Sequence, residues 1–242
     1  MRYAKHFKTG QKLLLRPLAA DEDRFEALSA FYQDQVGENL AVFTLPYGTA
    51  QDERYPFAEK MPFEMYSDSL GLGIRVTGTF DTYLDGSDFR VTLNDDFQLF
   101  QRRLHGRKET AIGIKYTKGK GTLRSFRNQW EKNVTLLEKS PDPAKIPVFP
   151  MTPINLSQGG ARCDLREPVE ISDLCLLLLR LSESELPICA LAEVVWRGGE
   201  VEGGRRTCGM QFLNILERDR KRIETYLKNL PVDEDPPPTE EE

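Results

Sequence analysis

Ile154-Asn155-Leu156-Ser157-Gln158-Gly159-Gly160-Ala161-Arg162-Cys163-Asp164-Leu165 reads as two short strands broken at a glycine pair. Asn155 and Ser157 share one side-chain parity, so a strand here presents both on the same face as short polar groups. Working outward, the pattern repeats. Glu109 to Tyr116, Leu174 to Leu181, Ile188 to Trp196 and Cys208 to Leu213 are further strand-length runs separated by turn residues, and such a series predicts a small barrel. Between its first two strands, Leu123 to Lys139 carries Phe126, Trp130, Val134 and Leu137 at helical spacing and predicts one helix. Glu217 to Leu230, with Ile223, Tyr226, Leu227 and Leu230 on one stripe before Pro231, predicts a second.

The half before this barrel has the same texture. Leu13-Leu14-Leu15, Phe31-Tyr32, Leu40 to Leu45, Phe63 to Met65, Leu72 to Phe80 and Phe89 to Leu93 are apolar or alternating runs, and Asp85-Gly86 between the last two is a hairpin dipeptide. They predict an antiparallel barrel or sandwich, with a short helix over Asp21 to Leu28 where an Asp cap precedes helix formers. The character turns basic after Phe97, with ten Lys or Arg against two acids from Gln101 to Lys132. The boundary is placed there: 1–98 as an N-terminal barrel domain, 99–231 as a second domain with an insert at about 117–150, and 232–242, which holds six acids and three consecutive prolines, as an acidic disordered tail. The expected fold class is mainly β, two small barrels in tandem.

Composition narrows the function. With 242 residues, 39% of them hydrophobic and 29% charged, the chain has material for two packed cores. No run approaches the roughly 18 apolar residues of a membrane span, and Met1 to His6 leads into no signal core, which predicts a cytoplasmic protein. Cys163, Cys175, Cys189 and Cys208 show neither a C-x-x-C pair nor nearby histidines, so they read as buried small hydrophobes rather than metal ligands. His6 and His105 are the only imidazoles, which leaves little for histidine-based catalysis; His105 reads as a spacer. Trp196 reads first as core. Gly71, Gly73 and Gly78 do not form a dinucleotide fingerprint, and Lys118-Gly119-Lys120-Gly121 is no Walker loop.

Two motifs carry information together. Arg103-x-x-x-Arg107 is weak alone, since the spacing also occurs at 162/166 and 218/222. Asn155-x-Ser157-x-x-Gly160 is expected from this composition only about 0.07 times by chance, and it occurs once. In this order, the first at a domain junction before a strand and the second in a strand-turn-strand of the same domain, they resemble the PilZ family, bacterial receptor domains for cyclic di-GMP. Ala192 to Trp196, Cys208 to Leu213 and the C-terminal helix match the family's late strands and helix. The preceding half is similar to the N-terminal barrel of flagellar-brake-type proteins.

The resemblance implies a six-stranded second barrel with a C-terminal helix and an inserted segment, no enzymatic activity, no cofactor, and cyclic di-GMP as ligand. It implies a site of Arg102, Arg103, Arg107, Asn155, Ser157 and Gly160. The residue types suit that ligand. A guanidinium pairs in bidentate fashion with a phosphate or with guanine O6 and N7, and also stacks on the base. Arg102 adds a third guanidinium able to hold a stacked ligand dimer. Gly160 allows close backbone approach or a positive φ. Closure of the arginine segment over the ligand would change the placement of the barrels, with an output in motility, attachment or exopolysaccharide control through a protein partner. The insert is longer than the family's usual separation, and its Lys118, Lys120, Arg124 and Arg127 either reach phosphate or solvate a helix, the second being the favoured reading. Two competing readings are an interaction adaptor of the same fold that binds no nucleotide, and a nucleic-acid-binding barrel using the Gln101 to Lys132 stretch, which the acidic net charge of -5 opposes.

Overall fold

The computed structural model describes residues 7–18, 23–47, 54–69, 72–101, 106–119, 121–139 and 142–231. The first half contains β1 (Lys12–Pro17), β2 (Arg24–Glu26), β3 (Leu28–Gln35), β4 (Leu40–Thr44), β5 (Pro62–Ser69), β6 (Leu72–Tyr83), β7 (Asp88–Leu93) and β8 (Gln98–Gln101). Six of these close in the order β5-β1-β3-β4-β7-β6, with β6 returning to β5 and β8 added along the start of β6. Strict alternation builds the interior: Leu13 and Leu15, Ala41 and Phe43, and Phe89, Val91 and Leu93 point in from β1, β4 and β7. Phe57 sits among them, 5.1 Å from the rings of both Phe63 and Phe89. Gly86, at a φ of 62°, makes the turn between β6 and β7 that the Asp-Gly dipeptide predicts.

The second half contains β9 (Lys108–Gly119), α1 (Leu123–Lys139), β10 (Met151–Ser157), β11 (Gly160–Arg166), β12 (Leu174–Arg180), β13 (Ile188–Val201), β14 (Arg205–Leu216) and α2 (Glu217–Asn229). Its strands run β11-β10-β9-β12-β13-β14, and β11 pairs back onto β14, so this sheet is also a closed six-stranded barrel. Both predicted helices form. All four cysteines are free and buried, and burial pushes the thiols of Cys163, Cys175 and Cys189 up to about 12.

Two elements tie the barrels together. A helix is expected over Asp21 to Leu28, but its described residues, 23–28, are not helical: Arg24–Glu26 is β2, a seventh strand on the second sheet, pairing Phe25 with Ile215. Backbone bonds from Ala27 N–H to the Leu213 carbonyl and from Glu217 N–H to the Asp23 carbonyl extend it. A helix of one or two turns costs more to nucleate than its few bonds return, whereas the edge of β14 offers ready backbone partners. The second element is α1. Leu123, Phe126, Trp130 and Val134 share one core cluster with the first barrel and with Leu174, Leu176, Cys189, Leu191 and Leu213 on the outer face of β12–β14. The Trp130 indole N–H donates to the Cys189 carbonyl at 3.0 Å. Arg127 does not solvate its helix; it pairs with Glu26 at 2.6 Å and lies over the Tyr55 ring at 4.7 Å, while the Lys118 ammonium bonds the Pro168 carbonyl. Lys120 lies outside the described residues, as does 232–242.

At the centre of this junction is a buried charge. Glu193, on the outer side of β13, is 0% exposed. It accepts from the Lys12 ammonium of β1 at 2.6 Å and from the Tyr47 hydroxyl, whose oxygen accepts the Ser29 N–H at 2.9 Å. Burial first, then the neighbouring Glu193 carboxylate, pushes the Tyr47 phenol well above its ordinary value.

Candidate functional site

The β10–β11 hairpin is held on both flanks. On one side β9 pairs Lys108 with Leu156 and Glu109 with Asn155; on the other β14 pairs Gly160 with Gln211 and Arg162 with Gly209. Ile154 and Leu156 point into the barrel, so Asn155 lies on the outward face. Arg107 is exposed immediately before β9, and the β9–β10 register brings that strand entry beside the Ser157 end of β10. Arg102, Arg103 and His105 lie outside the described residues.

Each remaining motif residue has a definite job in the barrel. Asn155 Nδ2 donates to Glu109 Oε1 at 2.7 Å, and Arg162 Nη2 donates to the same oxygen at 2.6 Å. Ser157 is buried, and its hydroxyl donates to the Gly160 carbonyl across the turn at 3.2 Å. Gly160 has no positive φ. A Cβ there would lie 2.2 Å from the Met210 carbonyl oxygen. The close approach is therefore between Gly160 and its own barrel: only a glycine lets β11 come down onto β14 at the hairpin and close the sheet.

A lateral row of residues runs from this hairpin around the barrel. Glu109 pairs with Asn155, Asn155 with Arg162, Arg162 with Gly209, and Gly209 with Trp196. Trp196 is not core. It is 48% exposed, because a bulge between Val194 and Trp196 inserts one extra residue into β13 and turns the indole from the inside to the outside. The ring lies over bare backbone, since a Cβ at Gly198 would sit 2.4 Å from its Cη2 and one at Gly209 3.3 Å from its Cβ. The face thus combines guanidinium, amide, carboxylate and a flat aromatic. Sequence reasoning missed Glu109, Arg162 and the exposure of Trp196. The one local signal was the Arg197-Gly198-Gly199 run after the Trp. Among the described residues no group of three His, Cys, Asp or Glu could hold a metal ion, and no helix is long and apolar enough to cross a membrane.

The sequence model of the PilZ domain matches residues 101–229, more than half of the chain and all of the second barrel. The chain belongs to the PilZ family. The first barrel fits the flagellar-brake-type barrel expected ahead of a PilZ domain. Solved structures similar to this PilZ protein include the Bacillus subtilis inhibitor of motility MotI/DgrA, at 13% identity and a TM-score of 0.36, covering 92% of this chain and 97% of that one. The K. pneumonia MrkH complex with c-di-GMP is 13% identical with a TM-score of 0.30, covering 90% and 86%. MrkH in its apo state is 16% identical with a TM-score of 0.36, over the same shares. At these scores they stand as likenesses only. Comparison with curated proteins finds no match. PilZ domains are binding domains.

Proposed function

We propose that this PilZ protein is a cytoplasmic receptor for cyclic di-GMP, that binding changes how its two barrels meet, and that the output is motility, attachment or exopolysaccharide control through a protein partner. The observation that carries the reading is the β9–β10 register, which in a PilZ chain brings the entry of β9 at Arg107 beside the Asn155-x-Ser157-x-x-Gly160 hairpin. Arg107, with Arg102 and Arg103 on the same connection, supplies guanidinium groups for phosphate and for guanine O6 and N7. Asn155 both donates and accepts on the outward face, and Trp196 offers a surface for a base to stack on. Recognition requires no bond to be made or broken, so the role is that of a binder and not of an enzyme.

The same rows suggest how binding is passed on. Gly160 pairs with Gln211, and Gln211 pairs with Glu193, so the hairpin stands two strands from the charge that bonds Lys12 and Tyr47 of the first barrel. A ligand moves the barrels only by the difference in its affinity for the two arrangements. The test is calorimetric titration of cyclic di-GMP into the wild type and Arg103→Ala/Arg107→Ala, with GTP as control, alongside small-angle scattering with and without ligand. Saturable binding that the double variant loses supports the receptor, and a ligand-dependent scattering profile supports the rearrangement. Absence of binding to the wild type at tens of micromolar ligand overturns both, and leaves the nucleotide-independent adaptor.

A further inference from the structure

The geometry points to Glu109 as the residue that reads the Watson–Crick edge of a guanine at this site, an inference that rests on the receptor reading above. Glu109 is exposed on β9, two residues beyond Arg107 and in register with Asn155. Its Oε1 takes hydrogen bonds from both Asn155 Nδ2 and Arg162 Nη2, at 2.7 and 2.6 Å. The three side chains form one polar unit across β9, β10 and β11, on the row that continues through Gly209 to Trp196.

The donor and acceptor inventory decides what this unit can recognise. Arg107 and Arg162 only donate, which matches phosphates, guanine O6 and N7, all acceptors. A carboxylate only accepts, and beside a phosphate it is repelled. One part of cyclic di-GMP presents a pair of donors on a single edge, the guanine N1–H and N2 amino group. That paired edge matches the two oxygens of an acid in the middle of the face, whereas the ribose 2′-hydroxyls, the other donors on the ligand, offer one hydrogen each. Strand spacing of about 4.8 Å puts Asn155 and Arg162 one and two strands along from Glu109. A base whose donor edge meets Glu109 therefore has an amide and a guanidinium within reach of its remaining acceptors.

The test compares cyclic di-GMP with cyclic di-inosine monophosphate, whose bases lack the N2 amino group, by titration into wild type, Glu109→Gln and Glu109→Ala. Glu109 is exposed, so neither change opens a cavity. A charge-assisted hydrogen bond is worth about tenfold or more in affinity. The wild type is therefore expected to prefer cyclic di-GMP by about tenfold, and both variants to bring the ratio to within about twofold of one, by losing affinity for the guanine ligand. An unchanged ratio in the variants overturns the assignment. Tighter cyclic di-GMP binding in the variants overturns it as well, and would make Glu109 a competitor that holds Asn155 and Arg162 away from ligand. In both cases the wild type still binds, whereas a wild type that binds neither dinucleotide overturns the receptor reading itself.

Discussion

At the scale of single residues, Gly160 and Asn155 separate packing from recognition within one motif. Gly160→Ala drives a methyl to 2.2 Å from the Met210 oxygen, and backbone on a closed barrel has nowhere to go. The expected outcome is a loss of about 1–3 kcal/mol in urea unfolding, with ligand binding lost alongside it. Asn155→Ala touches only an outward-facing bond to Glu109, so stability should stay within about 0.5 kcal/mol while affinity for cyclic di-GMP falls. The buried thiols make a separate prediction. Cys163, Cys175 and Cys189 have folded values of about 12 against the ordinary 9.0. Above pH 9 the unfolded chain releases thiol protons that the folded protein keeps. Stability is thus complete below that pH and falls across the window up to about 12, by about 1.4 kcal/mol per pH unit for each thiol. Guanidinium unfolding at a series of alkaline pH values should show this slope, and Cys189→Ala should reduce it by one thiol's share.

At the scale of elements, α1 and β2 do more than decorate the barrels to which they are sequentially attached. The large apolar side chains of α1 fill the space between β12–β14 and the first barrel, which makes the inserted helix a shared core element. Trp130→Phe keeps most of the ring volume but leaves the Cys189 carbonyl without its 3.0 Å donor, a cost of about 1–3 kcal/mol. Trp130→Ala also opens a cavity and should cost about 3–5 kcal/mol. If either variant unfolded at the wild-type denaturant concentration, the helix would not be part of the core. β2 works through its backbone, and its Phe25 is capped by guanidinium groups from both halves, Arg16 at 5.5 Å and Arg220 at 4.3 Å.

Across the whole molecule, the Glu193 network sets the terms on which the barrels can move. Lys12→Met leaves a carboxylate at 0% exposure without its cation, which is expected to cost about 3–5 kcal/mol. Lys12→Met/Glu193→Leu removes both charges and should recover most of that loss, so a double-mutant cycle by denaturant unfolding measures the pair. The same network bears on the receptor reading. If the ligand-bound arrangement requires this junction to loosen, then Tyr47→Phe, which deletes one bond to Glu193, lowers the cost of opening and tightens cyclic di-GMP binding by about three- to tenfold. Equal affinity in titrations of Tyr47→Phe and wild type would mean that binding leaves the junction intact.

Much of this protein was legible before any fold was known. The strand runs, the Asp85-Gly86 turn, both helices and the paired motifs follow from local period and residue type, which a chain carries whatever it packs against. Burial of the cysteines followed from the absence of any partner pattern. What sequence alone did not contain was partnership. Arg24–Glu26 has helix-compatible residues and becomes a strand because β14, nearly 200 residues away in the chain, has an open edge. Trp196 faces water because one bulge shifts parity, and an insertion of that kind is visible only in the register with β14. Glu109 and Arg162 belong to the candidate site because three antiparallel strands set them on either side of Asn155. Gly160 is required by the Met210 carbonyl, a neighbour that exists only once the barrel closes. Local pattern determines which face of each element is apolar; which faces and edges meet is decided by long-range pairing, where a shift of one residue exchanges the inside for the outside.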